Sequence, residues 1–274
     1  MDTDAAQRCA GFVSPDPRRL SPPDPPPSPR RVGVIYPSNG VCDTEFLRFA
    51  PPDVTLHVTR FPWPEPEWFR HHWVQRMTQL AGDPAITDAA RLFTPIDPAA
   101  VTFACTAASF AAGAGGDHLV LQALRRGTSA PASTTATAFV AACRALGRTR
   151  VAIASVYRPE LTERFIAFLA AAGITTVSHA SEGWHQQPDD DHRLRLTDLR
   201  RMAAGCDHTD AQAVLIPETN IHTSDAIPVL EAELNKPVIT AIHATVWHAA
   251  RLAGSRRPTG IGHLGRCDPA PLAS

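Results

Sequence analysis

From Arg31 onward, short apolar runs alternate with longer amphipathic stretches. Val32 to Tyr36 is an apolar run ending in the turn Pro37-Ser38-Asn39-Gly40, and Val54 to Arg60 alternates as a strand does. Glu67 to Leu80 has helical spacing, and Val101 to Ala104 forms a strand leading into Cys105. The segment from Cys105 through Gly113 passes into a helical pattern, with a stripe over His118 to Arg126, then Ser133-Thr134-Thr135 and a helix to Leu146. Val151 to Val156 is a strong strand, and the amphipathic helix Thr162 to Ala172 is closed by Gly173, a residue type suited to a helix stop. Ile174 to Val177 is the next strand, followed by a polar loop from Ser181 to Arg193 and a helix from Leu196 to Ala204. Strand Ala213 to Ile216, helix Ala226 to Leu234, strand Val238 to Ala241 and helix Thr245 to Leu252 complete the pattern. Such alternation predicts an α/β fold of parallel sheets flanked by helices.

The pattern repeats weakly within itself. Val32 to Pro37 resembles the run from Val151 through Tyr157 and Pro159. The strand ending at Cys105-Thr106 corresponds to the one ending at Pro217-Glu218-Thr219. Two similar halves with facing strand ends enclose a cleft, which brings Cys105 and Glu218 to a ligand from opposite sides. We expect a first domain of residues 31–145 together with 238–274, and a second of 146–237. Residues 1–30, with prolines from Pro15 to Pro29, read as a disordered or extended tail.

Composition narrows the function classes. The chain has 274 residues, a net charge of −1 and no block of like charge, so no nucleic-acid footprint is expected. No apolar run approaches the ~20 residues that span a bilayer, and the amino terminus lacks the apolar stretch of a signal peptide, so a cytoplasmic location is expected. The cysteines, Cys9, Cys42, Cys105, Cys143, Cys206 and Cys267, are scattered without a CxxC pair, which suggests neither a zinc site nor a disulfide framework.

Cys105 stands where α/β sheets place their chemistry, at the carboxyl end of a strand before a helix amino terminus. Exposed N–H groups and the helix dipole there favour a thiolate or a bound carboxylate, whereas a buried structural cysteine is the plain alternative. Chemistry next to a carboxylate builds charge into an enediolate, and several convergent donors in a dry cleft must meet that charge. Asn39, Thr106, Ser109, Tyr157, Thr219 and Asn220 are of the types that supply them. Cys105 would be nucleophile, base or proton donor, and Glu218, if partly desolvated, the opposing acid or base.

On these residues the chain resembles the aspartate/glutamate racemase superfamily, in its maleate isomerase and arylmalonate decarboxylase branch. The matching segments are Val34 to Asn39, Ala104 to Phe110, Val151 to Tyr157 with Thr162-Glu163-Arg164, Asp225 to Pro228, and Val246 to Gly254. The resemblance implies two Rossmann-like halves related by a pseudo-two-fold axis, with the site in the cleft between them and neither cofactor nor metal. It places Cys105 at the first of two catalytic cysteine positions, a cysteine in maleate isomerases and a glycine in arylmalonate decarboxylases. It places Thr106, Ser109 and Asn39 at carboxylate-binding positions and Tyr157 where a hydroxyl meets the carboxylate or enediolate. Glu218 stands at the second cysteine position, which removes a two-thiol mechanism.

Weaker candidates remain. Tyr36 ends the first strand, and His222 and His243 lie near the inferred site, although a histidine at a strand end is more often structural. His71, His72, His179, His185, His192 and His208 have no ligand spacing and read as a solvated face. Gly113-Ala114-Gly115-Gly116 lacks the dinucleotide-binding order, and Trp63, Trp68 and Trp73 suit packing or cleft cover. The expected function is cofactor-independent isomerisation or racemisation of a small carboxylic acid. Decarboxylation of a malonate-type acid is the alternative, and a non-catalytic carboxylate-binding module a third. The partner expected is a small carboxylate, with neither nucleic acid nor membrane, and a homo-oligomer is left open.

Overall fold

The computed structural model describes residues 28–64, 72–183 and 194–267. Almost all of the proline-rich tail, Trp68, the expected helix start at Glu67 and most of the polar 181–193 loop lie outside the described residues. Two four-stranded parallel sheets carry the rest. The first contains β1 (Arg30–Pro37), β2 (Val54–Phe61), β3 (Ala100–Phe103) and β4 (Ala132–Thr134), in the order β2-β1-β3-β4. The second contains β5 (Arg150–Ser155), β6 (Thr175–Ser181), β7 (Ala213–Ile216) and β8 (Val238–Thr240), in the order β6-β5-β7-β8. Each strand of the first sheet thus has a counterpart in the same place in the second, which is the architecture that the internal repeat predicted.

The central strands are buried on both faces, so they read as continuous apolar runs: β3 and β7 are buried at every position. The expected domain boundary at residue 238 needs moving, because β8 hydrogen-bonds to β7 and is an edge of the second sheet. The chain returns to the first half only with α10 (Ala241–Leu252), which packs chiefly on α6 (Thr135–Ala145) and α1 (Asp43–Phe49). Helix α10 is buried on every side from Ala241 to Arg251 because it lies between two apolar clusters. Ile242, Val246 and Ala249 belong to the cluster under β1 and α1, while Ala244 and Trp247 belong to the larger core reaching both sheets.

The sequence pattern left residues 82–96 unassigned, yet α3 (Pro84–Arg91) forms there. Its start signal is local: Asp83 caps the helix by accepting the Ala85 N–H at 2.8 Å, and Pro84 sits in the first turn, where no hydrogen is needed. Helix α2 (Trp73–Ala81) begins after His72, whose φ of 64° is left-handed. Helices α4 (Thr106–Phe110), α5 (His118–Gly127), α7 (Pro159–Ala171), α8 (Leu196–Cys206), α9 (Ala226–Leu234) and α11 (Gly262–Arg266) complete the layers. Aromatic packing joins the halves: Phe110 of α4 lies 4.9 Å from Phe165 of α7 and 5.7 Å from Tyr157, measured between ring centres.

Candidate active site

Cys105 and Glu218 occupy the same place in the two halves. Each lies two residues past the end of a central strand, Phe103 in β3 and Ile216 in β7. The registers make the equivalence exact in chain terms: Phe103 pairs with Thr134 and Ile216 with Thr240, and both threonines are the N-cap residue of the helix that follows. Thr106 and Thr219 come next on each side. Beyond that point the halves part. The first enters α4 at once, whereas the second makes a loop from Pro217 to Asp225 before α9.

Cys105 is the N-cap residue of α4 and only 4 % exposed. Burial pushes its thiol up to about 12, the negative charge of Glu218 adds to the rise, and the Ala108 N–H opposes it. The thiolate expected from a helix amino terminus is therefore not the resting form of this cysteine. A helix of five residues has a small dipole, and removal of water outweighs it. Cys105 rests as a neutral thiol, a proton donor.

Tyr157 follows β5 and is fully buried, its ring edge-on to Phe110. Burial holds its hydroxyl well above the usual phenol value, and the nearby Glu218 carboxylate acts in the same direction. Its backbone is fixed by an N–H donated to Ser155 Oγ at 3.1 Å, and that hydroxyl is shared with Thr162 at 2.8 Å. Thr106, buried at the start of α4, is the other hydroxyl beside Tyr157. Cys105, Thr106, Tyr157 and Glu218 thus converge from three strand ends and both halves.

Glu218 is 7 % exposed, and its Oε1 accepts the Asn220 N–H at 2.7 Å. Asn220 is tied to the first half, since its Oδ1 accepts the Val41 N–H at 3.0 Å and lies 3.3 Å from the Tyr36 hydroxyl. The Thr219 carbonyl accepts the same hydroxyl at 2.9 Å. Thr219 and Asn220 are therefore in the cleft, but the Thr219 carbonyl and the Asn220 Oδ1 serve the junction between halves. Asn39 is half-buried in the turn after β1, at the same ends of the sheet.

Other expected residues sit elsewhere. Ser109 is fully buried and its hydroxyl is engaged, donating to the Thr106 carbonyl at 2.8 Å and accepting the Ala136 N–H at 3.2 Å. It ties α4 to α6. His243 is fully buried and stacks on Phe49 at 4.6 Å, with burial lowering it to about 3, so it is a neutral core residue. His222 has an exposed side chain, with its Nδ1 3.7 Å from Glu45. His179 and His208 belong to solvent-exposed ion pairs with Glu163 and Asp210. Trp63 and Trp73 pack against the core.

Glu45 was not foreseen. This α1 carboxylate is 2 % exposed and accepts the Thr223 N–H at 2.7 Å, the Ser224 N–H at 2.8 Å and the Ser224 hydroxyl at 2.7 Å. No short-range spacing announces it, because its partners lie 178 and 179 residues away. Among the described residues, no group of three or more His, Cys, Asp or Glu side chains is arranged to hold a metal ion. Among them too, no helix is long and apolar enough to cross a membrane.

Paired α/β halves with acid–base groups brought to one cleft from equivalent strand ends define a class that includes decarboxylases and isomerases of carboxylic acids. The chain belongs to the arylmalonate decarboxylase family, whose model matches residues 82–265. It is 30% identical over 187 residues to arylmalonate decarboxylase of Bordetella bronchiseptica, a match covering 66% of this chain and 76% of that protein. It also superposes on a liganded double mutant of arylmalonate decarboxylase, carrying a glycine-to-cysteine and a cysteine-to-serine change. That match has a TM-score of 0.73 and 27% identity, covering 86% of this chain and 98% of the other. A Nocardia farcinica maleate cis-trans isomerase mutant with a covalently bound succinylcysteine intermediate shares the fold. Its TM-score is 0.72 at 22% identity, covering 86% of this chain and 98% of that one.

Proposed function

We propose that this protein decarboxylates a malonate-type acid and protonates the product carbon from Cys105. The observation that carries this reading is the neutral, water-poor thiol of Cys105 beside Tyr157, Thr106 and Glu218. Family membership supports it as well. In the reaction, the bond from the α-carbon to one carboxylate breaks and carbon dioxide leaves. The electron pair remains on the α-carbon, delocalised as an enediolate onto the second carboxylate. The hydroxyls of Tyr157 and Thr106 and the first-turn amides of α4 are the donors suited to that charge. Cys105 then gives its proton to the α-carbon, and the thiolate left behind recovers a proton from water. A thiol at about 12 returns to the neutral form readily at neutral pH.

A second reading is racemisation of an α-substituted carboxylic acid. It is favoured by the placement of a carboxylate, Glu218, and a thiol, Cys105, at equivalent positions of the two halves. One would remove the α-proton and the other return a proton to the opposite face. Isomerisation through thiolate addition to a double bond is less well served by a thiol that rests protonated.

Incubation of disubstituted malonates and α-substituted acids in deuterated water separates these readings. Decarboxylation releases carbon dioxide and leaves one deuterium on the α-carbon. Racemisation washes deuterium into the α-position with the carbon count unchanged. Exchange or isomerisation without carbon dioxide across the malonate series would overturn the leading reading. Binding without turnover of any of these acids would favour a carboxylate-binding module.

A further inference from the structure

We propose that Tyr36, at the end of β1, is a positioning residue for Glu218, acting through Thr219 and Asn220 across the junction of the two halves. This deepens the reading in which Glu218 faces Cys105, and it rests on that reading. The Glu218 carboxylate is held by the Asn220 N–H at 2.7 Å. That bond aims the carboxylate only if the Asn220 backbone is itself fixed, and residues 217–225 contain neither helix nor strand to fix it. The first half does so instead. The Tyr36 hydroxyl donates to the Thr219 carbonyl at 2.9 Å and reaches Asn220 Oδ1 at 3.3 Å, while the Val41 N–H donates to the same Oδ1 at 3.0 Å. The Val41 bond also settles which end of the Asn220 amide faces Tyr36, since an N–H can meet only the oxygen.

The Tyr36 ring has little freedom to leave. Phe46 packs edge-on at 5.0 Å, and the Arg60 guanidinium lies 4.8 Å over the ring centre. Gly40 crosses so close that a Cβ there would stand 2.3 Å from the ring. Tyr36 is 1 % exposed, and burial raises its hydroxyl above the ordinary phenol value, so it stays a donor across the working pH range. The loop is held a second time further on, by Glu45 on Thr223 and Ser224. The contacts of Tyr36 and Val41 are the ones that fall on Thr219 and Asn220, next to Glu218, among the described residues.

The test needs no substrate. Glu218 raises the Cys105 thiol, so the pH-dependent rate of Cys105 alkylation by iodoacetamide reports where that carboxylate sits. Tyr36→Phe removes one hydroxyl and keeps the ring. The expected result is an alkylation rate at pH 9 about threefold above wild type, as for a fall of about half a pKa unit. Glu218→Gln is expected to show a similar rise, and the double variant no more than Glu218→Gln alone. Asn220→Ala keeps the N–H to Glu218 and the Tyr36 bond to the Thr219 carbonyl but loses the Tyr36 and Val41 contacts to its Oδ1, so it should raise the rate in the same direction by less than Tyr36→Phe, and it serves if the latter does not fold. Arg48→Ala controls for general loosening, because it removes only the exposed ion pair with Asp225 on the same loop. An unchanged profile in the Tyr36 and Asn220 variants, an additive double variant, or an equal rise in Arg48→Ala would each overturn the proposal. If the deuterium experiment fails while this cycle behaves as expected, the reaction assignment falls and the positioning role stands.

Discussion

The two strand-end segments that face each other in the cleft began from the same plan and were built oppositely. After β3, the chain turns directly into α4, and Cys105 through Phe110 are all buried among apolar neighbours. After β7, it makes a loop whose polar groups are met by side chains of the other half: Tyr36, Glu45 and Arg48. The first environment is dry, so it keeps a thiol neutral. The second is polar and internally bonded, so it can hold a carboxyl group almost out of water, with the Asn220 N–H on Oε1. One pseudo-symmetric framework thus offers a buried thiol on one side and a carboxyl group held by the loop backbone on the other.

The largest effect should come from Cys105. Cys105→Ala removes the proton donor and is expected to lower turnover by about 10⁴, at the upper end for a general acid, with substrate affinity little changed. Full turnover in this variant would end its catalytic assignment. Turnover in Glu218→Gln should fall by about 10², because an acid–base group is lost while shape and the Asn220 hydrogen bond survive. A change confined to KM would instead make Glu218 a recognition group for a cation or hydroxyl on the substrate.

The contrast in environment can be read from pH alone. Alkylation of Cys105 in the free protein should keep rising beyond pH 10, following a thiol pushed up to about 12, because only the thiolate reacts. A plateau near pH 8 would mean that the dry segment is open to water. Half-buried Cys267 should react before Cys105 at neutral pH.

Stability changes should be smaller and should divide the same way. Glu45→Gln weakens three charge-assisted hydrogen bonds to the second-half loop and is expected to lower stability by about 2 kcal/mol in denaturant titration. No change would show that the loop holds itself. Ser109→Ala removes a hydroxyl that joins α4 to α6 and should lower stability by about 1 kcal/mol, with ligand affinity within about twofold. A tenfold loss of affinity without loss of stability would return Ser109 to the substrate site.

The elements were legible where period and punctuation agree. β5, β7, α7 with its Gly173 stop, and α9 all fall within a few residues of the boundaries that apolar runs and breakers suggested. Helix α3 carries its start signal in the capping pair Asp83 and Pro84, and its eight residues make only about two turns, too few for periodicity alone to mark it. The central pairing of Cys105 with Glu218 could be found because strand ends in a repeated α/β unit must coincide, whatever the loops do.

By itself, then, the sequence determined two parallel-sheet halves, their order, and the two residues that lie just past the ends of their central strands. These follow from local rules: alternation, capping, and the burial of β-strands on both faces. The tertiary structure alone decided the chemical state and support of those residues. It made Cys105 a thiol, because burial outweighed a five-residue helix, bound the Ser109 hydroxyl to α4 and α6, and made His243 part of the core. It also brought Tyr36 to Asn220 and Glu45 to Thr223, across 184 and 178 residues of chain. Desolvation and hydrogen bonding over such separations depend on how whole elements pack, and no window of sequence contains that information.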